Sequence, residues 1–477
     1  MNRIKFGTSG WRGILCENFS MENVRIVSQA IADHLRAEGV ADRGVVVGYD
    51  ARFMGRDFAR ETSRILAGAG IRSYFCVRDT PTPVIAFELL RRKAGGAINF
   101  TASHNPYDYN GIKFSPAWGG PALPATTDDI EQRANALQGQ ISYKEMWLNH
   151  ASDLGLFVEI DPRVAYFDKL RELVDFSAIA AAKIKIAVNP MYGSGRGYLD
   201  LLLRDAGVDI VAVNDHVDPY FGGEPPEPAE AHIQDFITAI KADPHISLGL
   251  ALDGDADRFG IVDADGCYIE PNYILALLFD YMIRRKGLKG DAARSVATSH
   301  LIDAVAAHHG VKVLETPVGF KFIGEYIAAD RILIGGEESA GLTIRGHVPE
   351  KDGILACLLV AEMVAVEGRS LAELLADLYQ RVGEVYTKRV NLRLSGELAE
   401  GIEARLNNPP AAIGGRKITQ IIRLDGSKYL FEDGSWMLLR KSGTEPVVRL
   451  YGEAGSRKAL DRLMDDGRTF VQGDSKS

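Results

Sequence analysis

The chain alternates short apolar runs with longer stretches whose apolar residues recur every three to four positions. The first pattern reads as buried strands and the second as helices. Ser20 can cap a helix in which Val24, Val27, Ile31 and Leu35 share one face. A buried strand follows at 44–49, then a helix over 57–69 and a strand over 71–77. Thr80-Pro81-Thr82-Pro83 breaks the pattern and opens another helix. Gly96-Ala97-Ile98-Asn99-Phe100 closes the set as a buried strand, followed by the polar turn Tyr107-Asp108-Tyr109-Asn110-Gly111. The segment 115–130, rich in Pro, Gly and Ala, predicts a long surface loop.

The same rhythm restarts at 184–188, a strand, and Gly193-Ser194-Gly195-Arg196-Gly197 turns into a helix carrying Leu199, Leu202 and Leu203. A strand at 208–213 and a helix over 232–242 lead to the apolar strand 248–252, which ends in Asp253-Gly254-Asp255-Ala256-Asp257-Arg258. A third cycle has helices over 272–286, 301–309 and 320–328 and strands at 295–298, 311–314 and 332–334. The last of these strands ends in Gly335-Gly336-Glu337-Glu338-Ser339-Ala340-Gly341, and helices over 353–367 and 371–382 close the cycle. Thereafter strands dominate (385–394, 417–424, 435–440, 447–451), with only two helices, 396–407 and 456–471. The pattern predicts an α/β protein: three related doubly wound α/β domains (1–155, 156–266, 267–384) and a C-terminal α+β domain (385–477). A chain of 477 residues is too long for one core, which agrees with several domains.

Composition narrows the function. Hydrophobic residues make up 46% and charged residues 25%, as in ordinary globular proteins. A net charge of −9 argues against a general nucleic-acid binder, although local Arg and Lys can still focus a positive field in one cleft. Cys16, Cys76, Cys267 and Cys357 are scattered without a CxxC pair, which predicts reduced thiols rather than disulfides or zinc. The N-terminus lacks an apolar core of signal-peptide length, and the most apolar stretch, 354–366, contains Glu362 and is too short to span a bilayer. The expectation is a cytoplasmic protein with no membrane or nucleic-acid partner, as a monomer or a dimer.

Four loops carry candidate chemistry. In Thr101-Ala102-Ser103-His104-Asn105-Pro106 a hydroxyl sits beyond the carboxyl end of a strand, where open α/β sheets bind ligands; ordinary turn composition explains the same residues. Asp253, Asp255 and Asp257 alternate with small residues, so in an extended loop their carboxylates point the same way. At about 4 Å, with an effective dielectric near 20, each pair repels by a few kcal/mol, and a divalent cation relieves this. Oxygen-only ligands favour Mg²⁺ or Ca²⁺ over zinc. An EF-hand is excluded, because Arg258 and Ala264 occupy the positions that would need Gly and Glu; a solvated acidic turn is the other reading. Arg258 could contact an anion on the same metal. Glu337, Glu338 and Ser339 suit hydrogen bonding to sugar hydroxyls, or a helix cap. Arg440-Lys441-Ser442-Gly443-Thr444-Glu445-Pro446, followed by Arg449, suits a phosphate, or a charged hairpin. There is no GxSxG elbow and no GxxxxGK[ST] loop, and Gly193-Ser194-Gly195 lacks the third Gly of a dinucleotide loop.

These loops, together with Gly7-Thr8-Ser9-Gly10-Trp11-Arg12-Gly13 at the start, resemble the α-D-phosphohexomutases in motif and in order across the whole chain. The resemblance implies four domains around a central cleft. It implies that Ser103 carries the transferred phosphoryl group, and that this group and Asp253, Asp255 and Asp257 bind Mg²⁺. It implies interconversion of hexose 1-phosphate and hexose 6-phosphate through a bisphosphate such as glucose 1,6-bisphosphate, which also acts as activator. Arg12 and Arg258 match positions near the active-site phosphoryl group, with His104 and Asn105 beside it. Lys113, His347 and Lys351 match candidate acid–base positions. Arg440, Ser442, Gly443 and Thr444 match the loop that holds the substrate's other phosphate. Lys321 stands where some members have histidine then serine. Glu337-Glu338-Ser339-Ala340-Gly341 resembles the phosphoglucomutases, which implies glucose phosphate; mannose phosphate is the alternative sugar. A metal-dependent phosphatase with an aspartyl nucleophile is an alternative reading of Asp253-Gly254-Asp255.

Overall fold

Val45-Val46-Val47 is a β-branched run with no polar alternation, the pattern of a strand covered on both faces. In the computed structural model, which describes residues 3–7, 10–139, 143–393, 396–441 and 447–473, it forms the buried strand Val45–Tyr49. The chain divides into two compact units, 1–274 with 319–371, and 275–318 with 372–477.

In the first unit, Val45–Tyr49 lies inside a six-stranded sheet with the order Trp11–Ile14, Tyr109–Pro116, Gly96–Phe100, Val45–Tyr49, Ser73–Cys76, Phe157–Ile160. The last four strands are parallel. Tyr109–Pro116 returns antiparallel to Gly96–Phe100, pairing Asn99 with Lys113 and Phe100 with Ile112, so the Ser103 loop is the connection of a hairpin. Helix Met21–Ala37 starts at Ser20, whose Oγ accepts from the Asn23 N–H, and Val27, Ile31 and Leu35 join Phe58, Leu66, Phe100 and Phe114 in the core. Two expectations change here. Residues 109–111 belong to a strand rather than a turn, and much of the expected loop 115–130 is the helix Pro124–Leu137. That helix buries only Ile130 and Ala134, a stripe too thin to be heard over its Pro and Thr residues.

A second sheet in this unit has the order Tyr268–Ile269, Phe259–Asp263, Ile246–Leu252, Lys185–Asn189, Asp209–Ala212. Ile246–Leu252 and Phe259–Asp263 are antiparallel, with Leu252 opposite Phe259, so 253–258 is also a hairpin loop. A third hairpin pairs Ile334–Glu337 with Gly341–Ile344. Helix Gly353–Glu367 is capped by Asp352, which accepts from the Leu355 N–H at 2.9 Å, and its first twelve residues are buried all round.

In the second unit Ala292–Ser295 and Val313–Thr316 pair in parallel, each two or three residues away from the expected strand. The C-terminal part is a six-stranded antiparallel sheet in the order Tyr386–Arg393, Val447–Ala454, Trp436–Lys441, Ser427–Phe431, Arg416–Ile422, Ala412–Ile413. Ile402, Leu463 and Met464 from the two helices Gly396–Asn407 and Arg457–Gln472 pack with Met437, Leu439 and Leu450 of the sheet. Strand Ser427–Phe431 escapes the sequence pattern, because Lys428 inside it interrupts the apolar run; in the structure that lysine is fully buried. Among the described residues no helix is long and apolar enough to cross a membrane, and all four cysteines are unpaired.

Candidate active site

Ser103 sits at the start of its hairpin loop with φ of +53°, a left-handed conformation uncommon for a residue with a Cβ. Thr101 supports it by turning back its Oγ1 to accept the Ser103 N–H at 2.8 Å. The aspartate loop is closed in a similar way. Asp253 Oδ1 accepts the Arg258 N–H at 3.0 Å, and Ala256 takes φ of +56°.

The two loops meet. Ser103 Oγ donates to Asp253 Oδ2 at 2.9 Å, and one oxygen from each of Asp253, Asp255 and Asp257 lies within 4.8 Å of the others, all buried. At that spacing each ionised pair repels by about 3–4 kcal/mol at an effective dielectric near 20. Cations offset this. Lys113 Nζ donates to Asp255 Oδ2 at 2.6 Å and Asp257 Oδ2 at 3.0 Å, and Lys351 Nζ donates to Asp257 Oδ2 at 2.5 Å. Arg258 Nε lies 3.9 Å from Asp257 Oδ1, while its Nη1 faces Glu227 at 3.4 Å.

Burial alone would raise all three carboxyls. For Asp257 it is outweighed by Lys113, Lys351 and Arg258, which hold that carboxyl below its ordinary range. Asp253 has no lysine partner, and burial together with Asp255 and Asp257 pushes it well up. His104 Nδ1 lies 3.3 Å from Ser103 Oγ; Arg258, burial and Arg12 push its pKa far down, so a neutral ring faces the hydroxyl. Arg12 Nη1 donates to Asn105 Oδ1 at 2.5 Å. Asp255 Oδ1 and Asp257 Oδ1 are buried without a hydrogen bond. Open oxygen valences on converging carboxylates, with no sulfur or imidazole donor among them, fit a hard divalent cation such as Mg²⁺.

The hairpin tip 337–341 is tied to this site. The Ala340 carbonyl accepts the Phe259 N–H at 3.3 Å, and a Cβ on Gly341 would lie 2.3 Å from Lys351 Cδ, so the lysine stem crosses a position that only glycine leaves open. Glu337 Oε1 accepts the Gly319 N–H at 2.8 Å, and burial, with Glu338, raises its carboxyl to about 7. Ser339 is half-buried beside it.

Two further expected residues have contacts outside the aspartate trio. The His347 side chain is fully buried, with Nε2 2.7 Å from Asp352 Oδ2, which also accepts the Tyr166 hydroxyl at 2.6 Å. It braces the turn that presents Lys351. Lys321 Nζ lies 5.4 Å from the Phe322 ring centre. In the second unit Arg440 and Arg449 are cross-strand partners, and Arg440 Nε donates to Asp425 Oδ2 at 2.9 Å. Ser442, Gly443 and Thr444 lie outside the described residues.

Sequence reasoning missed a chain of outer contacts. Asn99 Nδ2 donates to Thr82 Oγ1 at 2.8 Å, and Thr82 Oγ1 donates to Asp255 Oδ2 at 2.5 Å. The Thr82 N–H also reaches the Asp255 carbonyl at 2.9 Å. In the sequence Thr82 reads only as a helix opener; nothing local announces its reach across 173 positions.

The structure thus combines three mixed α/β regions and an antiparallel C-terminal sheet with a serine set on a buried carboxylate trio flanked by two lysines, a set of oxygen donors that suits a metal-dependent enzyme. Family models described as phosphoglucomutase/phosphomannomutase alpha/beta/alpha domains I, II and III match residues 3–140, 164–266 and 270–382, and the C-terminal domain of the same family matches 384–469. The chain belongs to this family. It is therefore a phosphohexomutase, an enzyme of the isomerase class, in a family that uses a divalent metal. It is 31% identical to a phosphoglucomutase/phosphomannomutase of Thermococcus kodakarensis, over 98% of both chains. It is 29% identical to a probable phosphoglucosamine mutase of Methanosphaera stadtmanae, again over 98% of both. The crystal structure of a protein from Thermus thermophilus, described as a phosphomannomutase by inference, superposes with a TM-score of 0.85 at 32% identity, covering 99% of this chain and 100% of that one.

Proposed function

We propose that the chain interconverts hexose 1-phosphate and hexose 6-phosphate, with glucose as the preferred sugar, through a phosphoryl group carried on Ser103. The observation that carries this reading is the Ser103 hydroxyl bonded to a buried aspartate trio that retains two open oxygens. In the first transfer the Ser103 Oγ–P bond breaks and the free hydroxyl of the hexose phosphate takes the phosphoryl group. The resulting bisphosphate turns over, and its other phosphate returns to Ser103. Mg²⁺ held by Asp253, Asp255, Asp257 and the phosphoserine would supply charge neutralisation at the transferred group.

The rest is positioning and proton handling. Lys113 and Lys351 flank the trio and are the groups we assign to moving the hydroxyl proton, with His347 holding the Lys351 turn through Asp352. Arg12, Arg258, His104 and Asn105 would contact the phosphoryl oxygens. Glu337 and Ser339 would read the sugar hydroxyls. Arg440 and Arg449, with Ser442, Gly443 and Thr444, would hold the second phosphate.

Glucose is favoured by Glu337-Glu338-Ser339-Ala340-Gly341, whose Ala340-Gly341 pair is the phosphoglucomutase-like feature. Mannose phosphate is the second reading, supported by the name of the Thermococcus relative. An aspartyl phosphatase is disfavoured because both Asp253 oxygens are engaged, one by Ser103 and one by the Arg258 N–H. The test is mass spectrometry of the Ser103 peptide, together with turnover of glucose, mannose and glucosamine 1-phosphates. Phosphate on Ser103, fastest turnover of glucose 1-phosphate and a Ser103→Ala variant slowed by about 10⁴-fold or more are expected. Undiminished Ser103→Ala activity, or release of inorganic phosphate that depends on Asp253 alone, would remove the proposal.

A further inference from the structure

Directly after the central strand, Asp50-Ala51-Arg52 places a guanidinium underneath the Ser103 loop, with its side chain fully buried. Arg52 Nη2 donates to the carbonyls of Ser103 at 2.8 Å and Asn105 at 2.5 Å. Its Nη1 donates to the carbonyls of Pro106 at 2.6 Å and Tyr109 at 3.0 Å. Asp50 Oδ2 lies 3.3 Å from Nε, Asp50 Oδ1 accepts the Arg52 N–H at 3.0 Å, and the Phe221 ring lies 5.0 Å from the guanidinium carbon. One planar fork therefore collects four backbone carbonyls of a single hairpin, three from its loop and one from the first residue of the returning strand, and is itself held at Nε by Asp50 and packed by Phe221.

The consequence falls on Ser103. Its N–H is held by Thr101 and its carbonyl by Arg52, so both peptide groups flanking a left-handed residue are pinned. Pinning both fixes the direction of the Cα–Cβ bond and hence where Oγ can go. Arg52 is bonded neither to Oγ nor to the three aspartates. We propose that Arg52, anchored by Asp50, is a positioning residue that aims Ser103 Oγ for phosphoryl transfer. A lysine at this place keeps the charge, but its three N–H groups radiate from one nitrogen and cannot span the four carbonyls. This inference rests on Ser103 carrying the phosphoryl group, which the Ser103 peptide analysis tests separately.

The experiment compares wild type, Arg52→Lys and Asp50→Asn as phosphorylated enzymes. For Arg52→Lys the expected result is a kcat on glucose 1-phosphate lower by about 100-fold, the scale of a misplacement near 1 Å. KM should stay within about threefold, since the residues assigned to the sugar and the second phosphate lie on other loops, and the ³¹P resonance of the phosphorylated Ser103 should broaden or split. Asp50→Asn, which leaves the guanidinium in place, should lower kcat by about fivefold with the same pattern. If Ser103 is phosphorylated but folded Arg52→Lys keeps kcat within threefold and a single sharp ³¹P line, the positioning role is wrong. If Arg52→Lys fails to fold, Asp50→Asn with wild-type kcat and ³¹P line overturns it equally.

Discussion

In the second unit Lys428 is completely buried, yet each of its three N–H groups has an acceptor: the Val296 carbonyl at 2.9 Å, His300 Nε2 at 2.8 Å and Glu315 Oε1 at 3.0 Å. The Trp436 ring lies 4.2 Å from its Nζ. Nearby, Glu453 accepts from the Ser299 hydroxyl, the His300 N–H and Trp436 Nε1. The cluster is closed upon itself. Burial, with Arg294 adding to it, brings the Lys428 ammonium down to about 8, and burial, then Lys428 and Arg294, bring His300 to about 2. The Ser103 site in the first unit is built from similar groups but leaves Asp255 Oδ1 and Asp257 Oδ1 open. Buried charge does not by itself mark a functional site, because it also serves as scaffold. What separates the two clusters is unfilled hydrogen-bonding capacity around converging groups of one sign.

The comparison breaks most visibly at Asp255. If the open cluster is a metal site, Asp255→Asn should raise the Mg²⁺ Kd by about 100-fold by calorimetry. Burial and Asp257 would raise the Asp255 carboxyl, but Lys113 and Lys351 outweigh them and hold it below its ordinary range, so the same change should also leave the metal-free variant less stable in urea unfolding. A variant that binds Mg²⁺ as tightly as wild type would make the trio another scaffold.

Lys428→Met tests the opposite side. Removing one member of a closed cluster should cost about 2–4 kcal/mol in urea unfolding, while kcat of the folded variant stays within about threefold. A stability change below about 0.5 kcal/mol would show that the closed cluster holds nothing.

The smallest effect concerns pH. Asp280 in the second unit is partly desolvated, which alone would raise its carboxyl. Arg381 at 2.7 and 2.9 Å and His309 at 2.8 Å outweigh that and bring it to about 2. Because the folded value is depressed below the ordinary 3.8, the group stabilises the fold above about pH 4 and loses that contribution as pH falls through about 2. Asp280→Asn should therefore be less stable than wild type by about 1–2 kcal/mol at pH 7, the gap closing by about pH 2. A gap independent of pH would mean that charge is not what Asp280 contributes.

Much of this molecule is legible without coordinates. The strand at 44–49 and the loops at Ser103 and Asp253 follow from local residue types, since an apolar run reports burial and a polar cluster after it reports a strand end, whereas Gly335, Gly336 and Glu337, expected in a loop, lie in the strand Ile334–Glu337. The failures are local conflicts. Lys428 hides a buried strand because its charge is satisfied by partners more than a hundred positions away, and helix Pro124–Leu137 hides because only two of its residues enter the core.

Residue order alone set the repertoire: alternating strands and helices, a hydroxyl, three clustered carboxylates, and the family they belong to. Which of these groups meet was settled by the folded chain. Asp253 receives Ser103, Asp255 receives Thr82 and Lys113, Asp257 receives Lys113 and Lys351, and Arg52 gathers the carbonyls beneath the serine. Periodicity encodes which face of an element is buried, whereas a hydrogen bond between distant loops depends on sheet register and hairpin geometry to within about half an ångström.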